Sequence, residues 1–170
     1  MVSGLIMRPD DKELYQLAST VGALLHQRHW VLVTAESCTG GWVGQAITAV
    51  PGSSAWYEAG FITYSNSAKI SQLGVKSTSL EKYGAVSEEV VQEMAQGALQ
   101  CGPANLSLAI SGIAGPNGGS IDKPVGTVCL AWISVDGDAI QTTCHFAGDR
   151  EEVRACSVAA ALRGVLEILS

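Results

Sequence analysis

The sequence predicts an α/β fold: one domain built on a mixed β-sheet that helices cover on both faces, in α/β/α layers. Three observations point to it. Short apolar or β-branched runs alternate along the chain with segments whose apolar residues recur at helical spacing. Two of the strand-like runs are joined through Asp136-Gly137, a strong hairpin signal, so at least one strand pair is antiparallel. The 170 residues, 47% of them apolar, make one ordinary domain with material for a sizeable core.

Taken in order, residues 1–9 read as a disordered tail, too short and too uncharged at its start for a signal peptide, and the domain as 10–170. Leu14, Leu17, Ala18, Val21, Leu24 and Leu25 predict a first helix, capped by Asp10 or Asp11. Residues 31–33 form a buried strand, followed by a turn and by a second helix over 39–50 that Pro51-Gly52 stops. Residues 60–64 read as a strand, and a helix runs from Ser65-Asn66 to Leu73. A helical turn at 79–83 and a short extended piece at 84–86 precede a helix that Ser87 caps, with Val90, Val91, Met94, Ala95 and Leu99 as its buried stripe. A strand over 106–110 leads into a glycine-rich loop, 111–120. The hairpin strands span 126–135 and 139–146, and the closing helix runs from Asp149 to about Leu169, with Glu151 and Glu152 favouring its positive end.

Composition narrows the function. The net charge of −6 comes with no basic cluster, which argues against general nucleic-acid binding and leaves a small anionic ligand open. Five scattered cysteines, an odd number without a C-x-x-C pair, indicate a reduced, cytoplasmic protein and no disulfide framework or zinc site. His26, His29 and His145 lack ligand spacing, so neither a metal nor a cofactor is expected. No run approaches the roughly 20 apolar residues of a membrane span. Charged residues make up only 15%, little to cover a monomer, which predicts a homo-oligomer, most simply a dimer.

Three loops stand where strands end and helices begin, the usual place for ligands in such sheets. The first carries Ser37, Thr39 and Gly40 at a strand–turn–helix junction, where free amides suit an oxyanion; equally, Ser37 and Thr39 simply cap the helix. The second carries Tyr64, Ser65, Asn66 and Lys69. A neutral Lys69, its pKa lowered by burial and by its helix start, would activate a serine; otherwise it is an ordinary solvated lysine and Tyr64 a packing residue. A carboxylate beside Lys69 would work against this, so Glu36 is expected to turn into backbone donors instead. The third is loop 111–120, where Ser111, Gly112, Gly118 and Gly119 either approach a phosphate or only make turns, with Arg150 as a further anion clamp. The P-loop, G-x-S-x-G and S-x-x-K signatures are absent.

Thr34-Ala35-Glu36-Ser37-Cys38-Thr39-Gly40-Gly41, Thr63-Tyr64-Ser65-Asn66-x-x-Lys69, Gly84-Ala85-Val86-Ser87, Ser111-Gly112-Ile113-Ala114-Gly115-Pro116-x-Gly118-Gly119, Lys123-Pro124-Val125-Gly126-Thr127-Val128 and Gly148-Asp149-Arg150 follow one another in this order. Over roughly residues 10–169 they closely resemble the CinA C-terminal domain family, the bacterial nicotinamide-nucleotide amidohydrolases. The resemblance implies hydrolysis of the carboxamide of nicotinamide mononucleotide to nicotinate mononucleotide and ammonia, in pyridine-nucleotide salvage. It also implies Ser37 as nucleophile, Lys69 as its partner, Tyr64 beside them, and a stand-alone form lacking a molybdopterin-binding-like N-terminal domain. Two other classes stay open: a catalytically silent nucleotide-binding module with the same pocket, and a cysteine enzyme using Cys38.

Overall fold

The structure, a computed structural model, describes residues 7–170; residues 1–6 of the expected tail lie outside the described residues. Within that stretch Arg8 reaches Glu151 at 2.7 Å, so the chain just before the first helix lies against the last one.

The elements follow the order α1 (Asp11–Arg28), β1 (Leu32–Glu36), α2 (Trp42–Thr48), β2 (Tyr57–Ile62), α3 (Asn66–Leu73), α4 (Ser77–Tyr83), α5 (Glu88–Gln100), β3 (Leu106–Gly112), β4 (Thr127–Ser134), β5 (Ala139–His145) and α6 (Arg150–Leu169). The sheet order is β2-β1-β3-β4-β5. β1 runs parallel to β2 and β3, while β3/β4 and β4/β5 are antiparallel, so the sheet is mixed as the sequence predicts.

Period-two alternation sorts the side chains onto two cores. Leu32 on β1, Leu106, Leu108 and Ile110 on β3, and Val128, Leu130 and Trp132 on β4 face α1, α2 and α6. The intervening Val33, Ala35, Ala109, Cys129, Ala131 and Ile133 face the layer of α3 and α5. Caps fix the helix starts: Asp10, Ser65, Ser87 and Asp149 each accept a backbone N–H from their own first turn.

Several expected boundaries move: β1 covers 32–36 rather than 31–33, and α4 begins at Ser77 rather than residue 79. β2 begins at Tyr57 rather than residue 60, because parallel pairing with β1 starts at Leu32↔Tyr57 and tertiary pairing overrides a weak local pattern. α2 starts at Trp42, not Thr39, since Gly40 and Gly41 adopt φ of 60° and 101° and prolong the turn. The piece at 84–86 is a bend, not a strand.

The chain leaves β1 through α2 on one face and leaves β2 through α3 on the other. Loops diverging in this way open a crevice between the carboxyl ends of neighbouring parallel strands. The floor of that crevice depends on how closely α3 lies on α5, and Gly97 allows the approach: a methyl group there would overlap the Leu73 carbonyl oxygen. Gly97→Ala is therefore expected to cost about 1–3 kcal/mol in urea unfolding by overpacking, and to shift α3 with everything it carries.

Candidate active site

The pleat places two adjacent residues on opposite sides. Glu36 ends β1 on the face of α2, and the next residue, Ser37, falls on the face of α3. Glu36 is buried, and its carboxylate accepts from the Thr39 hydroxyl at 2.7 Å and from the amides of Val43 at 2.9 Å, Gly44 at 3.1 Å and Gly41 at 3.2 Å. The expectation that Glu36 turns into backbone donors is met. An anion at the start of α2 satisfies helix N–H groups that otherwise have no partner.

Ser37 stays in register for one more bond, its amide donating to the Ile110 carbonyl at 3.0 Å. Its hydroxyl lies 2.9 Å from Lys69 Nζ. Lys69, 1% exposed, also donates to the carbonyls of Thr63 at 2.8 Å and Tyr64 at 3.2 Å. No carboxylate contacts this amine among the described residues. Burial is the main influence on it and pushes its pKa below the ordinary lysine value, with the neighbouring Cys38 a lesser, opposing influence. A neutral amine would donate its two N–H bonds to the two carbonyls and present its lone pair to Ser37, an arrangement suited to drawing off the hydroxyl proton.

A cleft of about 250 Å³ opens above this pair, lined by Ser37, Cys38, Tyr64, Asn66, Lys69 and Arg150 along with Ala85, Val86, Ser111, Gly112 and Ala114. A larger cleft of about 420 Å³ lies between α5 and β4–β5 and does not reach Ser37. Chemistry rather than size marks the site. Gly112 is needed where β3 ends beside the cleft, since a Cβ there would come within 2.8 Å of Val128 and 3.1 Å of Cys38 Sγ.

The remaining candidates divide. Ser111, Gly112 and Arg150 line the cleft, as expected. Thr39 and Gly40 do not: Thr39 is fully buried with its hydroxyl on Glu36, and the Gly40 amide is taken by the Ser37 carbonyl at 3.0 Å. Gly118 and Gly119 also stay outside. Both have positive φ just before the turn that the bond from Ser120 N to Lys123 O closes, and a Cβ on Gly119 would come within 2.9 Å of the Val125 amide. The helix amides of α2 expected to face an oxyanion are occupied by Glu36. Tyr64 holds Lys69 through its carbonyl, while its phenol, on a side chain of a residue 62% exposed, accepts from Arg150 Nη2 at 3.2 Å. Arg150 also donates to the Gly115 carbonyl at 2.8 Å, tying the third loop to the second. Burial pushes the Cys38 thiol up to about 12, which leaves it protonated near neutrality and unsuited to be the nucleophile. Sequence reasoning missed Ala85 and Val86 as cleft walls, and it missed Arg154. The signal for Arg154 was its spacing of four from Arg150, which puts both on one face at the start of α6. Among the described residues, no group of three His, Cys, Asp or Glu side chains is arranged to hold a metal, and no helix is long and apolar enough to cross a membrane.

The chain is similar to known proteins along nearly all its length. The profile of the CinA C-terminal domain matches residues 14–169. A protein of Escherichia coli K12 named nicotinamide-nucleotide amidohydrolase PncC is 52% identical over 153 residues, 90% of this chain and 93% of that one. A Pseudomonas putida protein of the same name is 51% identical, over 89% and 94% of the two chains. Among solved structures, the competence/damage inducible protein CihA of Agrobacterium tumefaciens superposes with a TM-score of 0.91 at 38% identity, covering 96% of this chain and 99% of that one.

The hold of Glu36 on its turn is open to direct measurement. Glu36→Gln keeps the shape but brings an NH₂ against amide donors, and is expected to cost about 2–3 kcal/mol in urea unfolding. A loss below about 0.5 kcal/mol would mean that the turn is held by something else.

Proposed function

The chain belongs to the CinA C-terminal domain family, and we propose that it hydrolyses the carboxamide of nicotinamide mononucleotide, giving nicotinate mononucleotide and ammonia. The curated relatives at 51–52% identity support that activity. The observation that carries the chemistry is the 2.9 Å contact between a buried lysine amine and a serine hydroxyl at the base of a cleft.

In this reading Lys69 takes the Ser37 proton as Oγ bonds to the carboxamide carbon. The amide of Cys38, the residue after the nucleophile, donates to the oxyanion. The C–N bond then breaks, Lys69 returns its proton to the leaving nitrogen, and ammonia departs from an acyl-serine. A water molecule, deprotonated by the same amine, attacks the ester and releases the carboxylic acid and the serine. Tyr64 lines the mouth of the site. The cleft of about 250 Å³ is below the roughly 300–1,000 Å³ of sites that enclose a whole ligand, which fits a pyridine ring held inside with the ribose phosphate at the rim. Arg150, Ser111 and Asn66 are the donors proposed for that outer part. The five free cysteines suit a reducing, cytoplasmic setting, and exposed Ile62, Ile70 and Ile140 suit a homo-oligomer, which sedimentation would show as at least twice the mass of 17.7 kDa.

Two outcomes test the mechanism. Ser37→Ala should lower ammonia release from nicotinamide mononucleotide by about 10⁴-fold or more while calorimetry still shows saturable binding; robust turnover by this variant removes Ser37 as nucleophile. Only neutral Lys69 accepts a proton, so kcat/KM should rise with pH on its acid limb and level off at a midpoint below the ordinary lysine value of about 10.4. Stability moves with the same sign. Between the lowered folded pKa and the unfolded one, the unfolded chain binds more protons, so raising pH through that window stabilises the fold.

A further inference from the structure

Glu36 takes the N–H groups of the Ser37 turn; the carbonyls of that turn are held from a different element, 116 residues away. Arg154, in the second turn of α6, donates Nε to the Cys38 carbonyl at 3.1 Å and Nη2 to the Thr39 carbonyl at 3.2 Å. Its guanidinium carbon stands 5.4 Å from the centroid of the Trp42 ring, the first residue of α2. The residue is half-buried and does not line the cleft, so it does not touch the substrate position.

Resting on the reading of Ser37 as nucleophile, we propose that Arg154 is a positioning residue for the hydrolysis, fixing the turn that carries the Ser37 hydroxyl and the Cys38 amide. The Ser37 carbonyl accepts from the Gly40 amide and the Thr39 carbonyl also from the Trp42 amide, whereas the Cys38 carbonyl has Arg154 as its donor among the described residues. Cys38 lines the cleft and follows the nucleophile, so a charge-assisted bond to its carbonyl holds in place the residue whose amide is assigned to the oxyanion. Only the planar fork of arginine spans two successive carbonyls from one side chain; a lysine ammonium is a point charge.

Ammonia release from nicotinamide mononucleotide is measured for wild type, Arg154→Ala and Arg154→Lys, together with the rate at which a fluorophosphonate labels Ser37, read by intact mass. In Arg154→Ala, kcat and the labelling rate should fall by about tenfold or more with KM within about twofold, and Arg154→Lys should lie between. Millimolar guanidinium, too dilute to unfold the protein, should restore kcat to Arg154→Ala and leave wild type unchanged. A kcat within about twofold of wild type in Arg154→Ala overturns the positioning role. So does a loss that follows the folded fraction seen by circular dichroism and is not recovered by guanidinium or by lysine. A wild type that neither releases ammonia nor is labelled at Ser37 overturns instead the nucleophile reading on which this rests.

Discussion

The structure depends on what the Glu36 carboxylate does at the end of β1. A buried anion is costly unless it is fully hydrogen-bonded, and this one receives four donors from a single turn and the start of α2. That set of bonds caps a seven-residue helix too short to be stable on its own and fixes the path of residues 37–41. It also keeps the carboxylate on the opposite face of the sheet from Lys69. Strand alternation thus separates an anion from an amine that are close in space, and that separation lets the amine be buried without a counter-charge.

Lys69 shows the other side of the same economy of contacts. Its side chain passes through apolar surroundings to end on one hydroxyl and two backbone carbonyls, all neutral. Such a site is unfavourable for an ammonium, and the depressed pKa expresses that cost. An amine held near neutrality is of little use to the fold, but it is what a general base requires. Stability is given up locally, beside a strand, β1, that is buried along its whole length.

The sequence alone determined a good deal here. Period-two runs, the Asp136-Gly137 hairpin and the caps Asp10, Ser65, Ser87 and Asp149 specified the class, most of the elements and the mixed sheet, because each of these signals acts over a few residues. The alternation Ala35-Glu36-Ser37 already carried the information that the carboxylate and the hydroxyl diverge. The motif order carried the family.

What only the tertiary structure decided were the distances across the chain. Thr39, Gly40, Gly118 and Gly119 have the composition of a ligand loop, yet the Thr39 hydroxyl is taken by the Glu36 carboxylate, the Gly40 amide by the Ser37 carbonyl, and Gly118 and Gly119 stand outside the cleft. The start of β2 was set by its partner strand and not by its own residues. Ala85, Val86 and Arg154 reach the neighbourhood of Ser37 from segments far from it in sequence. Local patterns state what a residue is able to bond; which of the available partners it meets is fixed only when helices and strands distant in sequence pack against one another.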